Sequence, residues 1–126
     1  MQIEFENLSN DQFISSFGEN YIVVNNKKCF KNTIIFKNNI LQNINEDLLF
    51  SRDFIKKKIN KFNIKYDNFI IFGVGKNIQP LPNETKKHLI VSKIPYETMI
   101  SISAIKTYNI LLSQNREPMI VLKLTF

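Results

Sequence analysis

Phe69-Ile70-Ile71-Phe72-Gly73-Val74-Gly75-Lys76-Asn77-Ile78-Gln79-Pro80-Leu81-Pro82 is the stretch on which the reading of this chain turns. Four large apolar residues stand together without alternation, the pattern of a central strand covered on both faces. Two glycines and a lysine follow, then two prolines that break any regular element. In an open α/β sheet, a site lies where a buried strand empties into such a turn.

Toward the C-terminus, residues 83–90 read as a short helix, since proline at or near the first turn is tolerated. Residues 95–99 read as a short strand. Ser101 is placed to cap a helix over residues 102–114. Ile102, Ile105, Asn109 and Leu112 share one stripe of it, and Ala104, Tyr108 and Leu111 the adjacent one. Asn115 suits the left-handed position at the helix end. The largely apolar run at residues 119–124 closes the chain as a buried strand. Strand, helix, strand, helix, strand implies right-handed crossovers and a mainly parallel sheet.

Toward the N-terminus, Ser51 is placed to cap a helix over residues 52–62. Phe54, Ile55, Ile59 and Phe62 fall on one side, and Lys56, Lys57, Lys58 and Lys61 mostly on the other. Before it, residues 21–24, 27–30, 33–36 and 40–44 are short β-prone runs joined by tight polar turns at Asn25-Asn26 and Lys37-Asn38-Asn39. They read as an N-terminal antiparallel β meander that ends at Asn45-Glu46-Asp47. Residues 1–20 read as an irregular lead-in held to the core by Phe13, Ile14 and Phe17. The fold class is therefore α/β, a small sheet with an extra β layer. Residues 1–126 read as one domain without repeats or linkers.

The 126 residues carry a net charge of +6, a balance that admits nucleic acid or an anionic membrane surface as partner. The basic residues are nearly all lysine, Arg52 and Arg116 being the exceptions. Phosphate and base readers favour the arginine fork, so the lysine run at Lys56, Lys57, Lys58 and Lys61 reads as a solvated helix face before it reads as a nucleic-acid patch. Cys29 is the single cysteine and His88 the single histidine. They make neither an intramolecular disulfide nor a zinc site of the usual kind, and no metal or cofactor is expected. No apolar run is long enough to span a bilayer, and the first residues carry no basic leader. These features point to the cytoplasm.

No Ser-His-acid or Cys-His arrangement is legible, and the reading is non-enzymatic on that ground. Gly73 and Gly75 lack a Cβ and would let a ligand approach, with Lys76 supplying positive charge for an anion or a partner carboxylate. The third glycine of a dinucleotide fingerprint is missing, as is the Gly-Lys-[Ser/Thr] of a Walker loop. Asn109 lies on an apolar stripe, so its amide needs a partner, and the backbone near the glycine loop is the expected one. Tyr108 would bury its ring and offer its hydroxyl at the rim. Gly73, Gly75, Lys76, Tyr108 and Asn109 form the candidate ligand-binding set.

Two blocks together carry a resemblance: the segment from Phe69 through Gly73-Val74-Gly75-Lys76 to Pro80-Leu81-Pro82, and the helix Ser103-Ala104-Ile105-Lys106-Thr107-Tyr108-Asn109-Ile110-Leu111-Leu112 followed by the terminal strand. An apolar strand ending in Gly-x-Gly, a proline break and a helix with Ala-x-x-Thr-Tyr-Asn-x-Leu resemble the Mth nine-three-eight domain family. That family has unknown function and includes a mitochondrial respiratory complex I assembly factor and an adipogenesis-associated relative. The likeness runs from about Phe17 to Leu124. Val74 departs from it, standing where a small hydroxyl residue is common. The resemblance implies a three-layer α/β fold with a mixed central sheet, and mitochondrial placement if the source is eukaryotic. It also implies a non-enzymatic interaction or assembly role in a larger complex, respiratory and membrane-associated in the eukaryotic relative, through protein partners and with peripheral membrane contact. The alternative is a small-ligand or anion-binding protein, perhaps an enzyme, that uses the glycine loop. Edge strands of the meander would serve a homo-oligomer.

Overall fold

The computed structural model describes residues 3–4 and 12–126. In chain order the elements are β1 (Ile3–Glu4), β2 (Ile14–Gly18), β3 (Tyr21–Val24), β4 (Lys27–Phe30), β5 (Asn32–Phe36), β6 (Asn39–Ile44), α1 (Glu46–Leu49), α2 (Arg52–Phe62), β7 (Ile70–Gly73), α3 (Asn83–Val91), β8 (Tyr96–Met99), α4 (Ser101–Ser113) and β9 (Met119–Leu122). Two sheets result, one of order β1-β2-β3-β4 and one of order β6-β5-β9-β7-β8. The first is antiparallel throughout. In the second, β7 pairs in parallel with both β8 and β9, while β5 pairs antiparallel with β6 and β9. The central sheet is mixed.

Side-chain alternation on the central strands builds three layers. Ile34, Ile70, Phe72, Met119 and Val121 point to the face covered by α1, α2 and α3, where Leu49, Ile55, Ile59 and Leu89 meet them. Ile35, Ile71, Ile120 and Leu122 point to the opposite face, onto Ala104, Ile105 and Tyr108 of α4 and onto Phe17, Ile22 and Val24 of the antiparallel sheet. Burial on both faces explains why β7 and β9 read as unbroken apolar runs. No helix among the described residues is long and apolar enough to cross a membrane.

The meander is present as two hairpins rather than one continuous unit. Asn25 and Asn26 both take positive φ (53° and 62°), closing β3 onto β4 as a tight asparagine turn. Lys31 at φ 60° then breaks the path. The next hairpin, β5–β6, leaves the first sheet and joins the second through the β5–β9 ladder.

Three local expectations change. The lead-in is a strand: β2 pairs with β3 across a bulge between Ile14 and Ser16. Its Phe13, Ile14 and Phe17 are buried as expected. The remainder of the lead-in, residues 1–2 and 5–11, lies outside the described residues. Ser51 precedes α2, but its hydroxyl turns back to donate to the Leu48 carbonyl at 2.9 Å and caps nothing. Asn45 is the cap that forms, its Oδ1 accepting from the Asp47 N–H at 2.8 Å to start α1 where only the end of the meander was expected.

Candidate functional site

The loop after β7 is tied on all sides. The Val74 N–H donates to the Met99 carbonyl, the Lys123 N–H to the Gly73 carbonyl and the Ser101 N–H to the Gly75 carbonyl, each at 2.9 Å. The Gly75 N–H donates to Ser101 Oγ at 2.9 Å, and that hydroxyl donates to the Lys123 carbonyl at 2.5 Å. The Lys76 N–H donates to Thr125 Oγ1 at 3.2 Å, and Gln79 Nε2 to the Val74 carbonyl at 3.1 Å. Ser101 therefore does not cap α4 through its side chain. It sits in the first turn, fully buried, and joins the ends of β7, β8 and β9.

The two glycines serve packing. A Cβ at Gly73 would lie 2.5 Å from Leu122 Cδ1 and 2.9 Å from Ala104 Cβ, so Gly73 lets α4 rest on the sheet. Gly75 has φ +105°, a conformation that side chains resist. A Cβ there would lie 2.6 Å from Thr125 Oγ1 and 3.3 Å from Lys123 Cδ. The missing Cβ makes way first for the Thr125 hydroxyl and then for the Lys123 stem, rather than for a ligand. The loop N–H groups at positions 74, 75 and 76 are all spent within the chain, and none is left to cradle an anion. The Lys76 side chain is exposed.

Ser101→Ala removes the acceptor for the Gly75 N–H and the donor for the Lys123 carbonyl. We expect a loss of about 2 kcal/mol in unfolding free energy by urea titration. A loss below about 0.5 kcal/mol would mean that water replaces the hydroxyl.

Beside the loop, on the α1 side, lies a cavity of about 290 Å³ lined in part by Glu46, Asp47, Phe50, Val74, Gln79 and Lys123. Lys123 Nζ lies 2.5 Å from Glu46 Oε1, with the lysine side chain 21% exposed. The sequence reading did not single out Lys123. Its signal was a lone charge interrupting an apolar terminal run directly opposite the glycine strand.

Tyr108 and Asn109 are not at this loop. They lie seven and eight residues beyond Ser101 on α4, about 10 Å further along the helix. The Tyr108 hydroxyl donates to the Gln12 carbonyl at 3.0 Å. Asn109 Nδ2 donates to the Ile14 carbonyl and its Oδ1 accepts from the Ile14 N–H, both at 3.0 Å. The amide thus presents a donor and an acceptor to one residue, as a neighbouring strand would. The partner of Asn109 is β2, not the backbone near the glycine loop. Tyr108 is fully buried rather than at a rim.

Burial pushes the Tyr108 phenol well above its ordinary value. An acid whose folded pKa is raised contributes stability that is whole below the unfolded pKa, near 10 for Tyr, and is lost as pH rises beyond it. We expect Tyr108→Phe to lower stability by about 1 kcal/mol at neutral pH. Its unfolding free energy should also fall less steeply than that of the parent above about pH 10. Parallel curves above that pH would contradict the assignment.

Lys56, Lys57 and Lys61 on α2 are exposed and Lys58 is half-buried. The Lys58 ammonium is shifted down, by burial first and then by Lys61 and Lys57. Lys58 Nζ stands 5.0 Å from the Phe54 ring centre and Lys61 Nζ 5.7 Å from that of Phe62. Cys29 is buried, and burial raises its thiol against the opposing effect of Lys27. Among the described residues no group of three or more His, Cys, Asp or Glu side chains is arranged to hold a metal ion.

The family model described as "Protein of unknown function (DUF498/DUF598)" matches residues 14–123. No curated protein matches the chain. A solved structure described as an outer membrane protein from Bartonella henselae is similar at TM-score 0.80 and 18% identity, with 95% of this chain and 100% of that one covered. A Mth938-like domain from Bordetella pertussis is similar at TM-score 0.74 and 15% identity, covering 98% and 92% of the two chains. A conserved hypothetical protein from Pyrococcus horikoshii follows at TM-score 0.59 and 15% identity, covering 90% and 98%. At these identities the likeness is one of fold.

Proposed function

The chain belongs to the family described as protein of unknown function DUF498/DUF598, and we propose that it is a non-enzymatic interaction protein that supports assembly or maintenance of a larger complex. One observation carries this reading. The backbone N–H groups at positions 74–76, at the end of β7, are committed to Met99, Ser101 and Thr125, and the side-chain polar groups of Tyr108 and Asn109 to Gln12 and Ile14. The conspicuous residues thus work on the fold, which leaves the outer surface for function. Crosslinked capture of the tagged protein from its own cells, washed at high salt, tests this. A reproducible set of subunits of one complex is the expected result. Recovery of the bait alone would sink the reading.

A second reading, a small-ligand or anion-binding protein, is favoured by the cavity beside Lys123. Lys123 would release Glu46 to meet a ligand carboxylate or phosphate, and Lys76 would add charge from the exposed loop. A ligand of this kind should raise the melting temperature in a metabolite screen, and Lys123→Met should abolish the rise. A screen without any shift would remove this reading.

A further inference from the structure

The helices α2 and α3 cover the same face of the central sheet and run in the same direction. The first leads into β7 and the second returns from its end to the parallel strand β8. Their N-terminal turns meet at a cavity lined by residues that include Arg52, Asp53 and Glu84. Their C-terminal ends meet at a groove of about 500 Å³ whose lining includes Ile59, Ile64, Tyr66, His88, Ser92 and Lys93.

Charge is sorted along this shared axis. Asp53 and Glu84 stand in the first turns. Beyond them, residues 54–67 hold five lysines against one acid, Asp67, and residues 85–95 hold three lysines, His88 and no acid. None of these lysines enters an ion pair among the described residues. Large apolar side chains are left in water at the same end: Tyr66 is 76% exposed, Ile90 65% and Val91 71%. A cation in a last helical turn is favoured by the helix dipole. That effect does not account for consecutive aliphatic residues standing on the solvent side of α3.

We propose that this end of the α2–α3 layer is a docking surface for an anionic lipid bilayer. Lysine ammonium groups meet the headgroup phosphates, and Ile90, Val91 and Tyr66 enter the boundary between headgroups and acyl chains. Charge complementarity selects an anionic partner, and the aliphatic pair selects lipid among anionic partners. Nucleic acid offers no apolar phase to Ile90 and Val91, and its readers favour arginine. The inference rests on this surface alone and holds whether or not the assembly reading does.

The test is co-sedimentation of the full chain with phosphatidylcholine vesicles, with and without phosphatidylglycerol. Binding is expected only to the vesicles with phosphatidylglycerol and should weaken as salt is raised. Lys65→Glu, at the C-terminal groove, and Lys87→Glu should each lower the partition coefficient at least about fivefold. Ile90→Ser combined with Val91→Ser should lower it by about tenfold. All four positions are exposed, so the melting temperature should hold and a loss of binding reports on the surface. The absence of binding to phosphatidylglycerol vesicles at low salt overturns the proposal. Binding that survives the Ile90 and Val91 substitutions, or that a DNA oligonucleotide displaces at physiological salt, overturns the lipid assignment in favour of a general polyanion surface.

Discussion

Asn109→Leu should lower the unfolding free energy by about 4 kcal/mol in a urea titration with an unchanged slope. Leucine matches asparagine in the number and branching of its side-chain heavy atoms and is no smaller, so the loss does not come from a cavity. It comes from the Ile14 N–H and carbonyl, which bond Asn109 at 3.0 Å each and would both be stranded in a buried setting. Each stranded group costs about 1–3 kcal/mol. Asn109→Asp makes a useful companion. It keeps an acceptor for the Ile14 N–H, loses the donor and brings in a charge, so it should destabilise more at neutral pH than in mild acid. A Leu variant within about 1 kcal/mol of the parent would show that β2 is held by its apolar contacts alone.

Gly73→Ala should cost about 3 kcal/mol, in the range for forcing extra atoms into a packed interior. Leu122 Cδ1 ends a flexible side chain and can turn away from the new methyl. Ala104 Cβ at 2.9 Å and Ser101 Cα at 3.2 Å cannot, because both ride on the α4 backbone. The helix must lift, and Ser101 is pulled from Gly75 and Lys123 as it does. Adding Ala104→Gly to Gly73→Ala should restore part of the loss, measured as a positive coupling in a double-mutant cycle. Strict additivity would contradict the close approach assigned to this pair.

These two positions also show what the sequence could disclose. The strands β7 and β9 were legible because burial on both faces removes every polar residue from the run. The amphipathic face of α2 and the paired asparagines at positions 25 and 26 were legible because their chemistry is local. The destination of a hairpin is not local. Nothing in Asn32–Phe36 states that, besides β6, it pairs with Met119–Leu122 rather than with β4, so the meander could not be divided in advance. β2 was hidden for another reason: Ser15 and Ser16 interrupt its apolar alternation at a bulge. Asn109 announced that it needed a partner without naming it. Ser101 looked like a cap because serines before helices usually are caps, whereas its hydroxyl was claimed by Gly75 and Lys123.

The bond between Asn109 and Ile14 spans 95 positions of the chain, which has a consequence for biosynthesis. At about 5–20 residues per second, Ile14 leaves the ribosome roughly 5–20 s ahead of the side chain that fixes it. β9, the partner that ties β5 into the central sheet, is made later still. Through that interval Phe17, Ile22 and Val24 lack the helix they are buried against in the finished protein. The nascent N-terminal layer thus keeps apolar surface uncovered over this interval, and its hairpins are fixed in place only after α4 and β9 have been made.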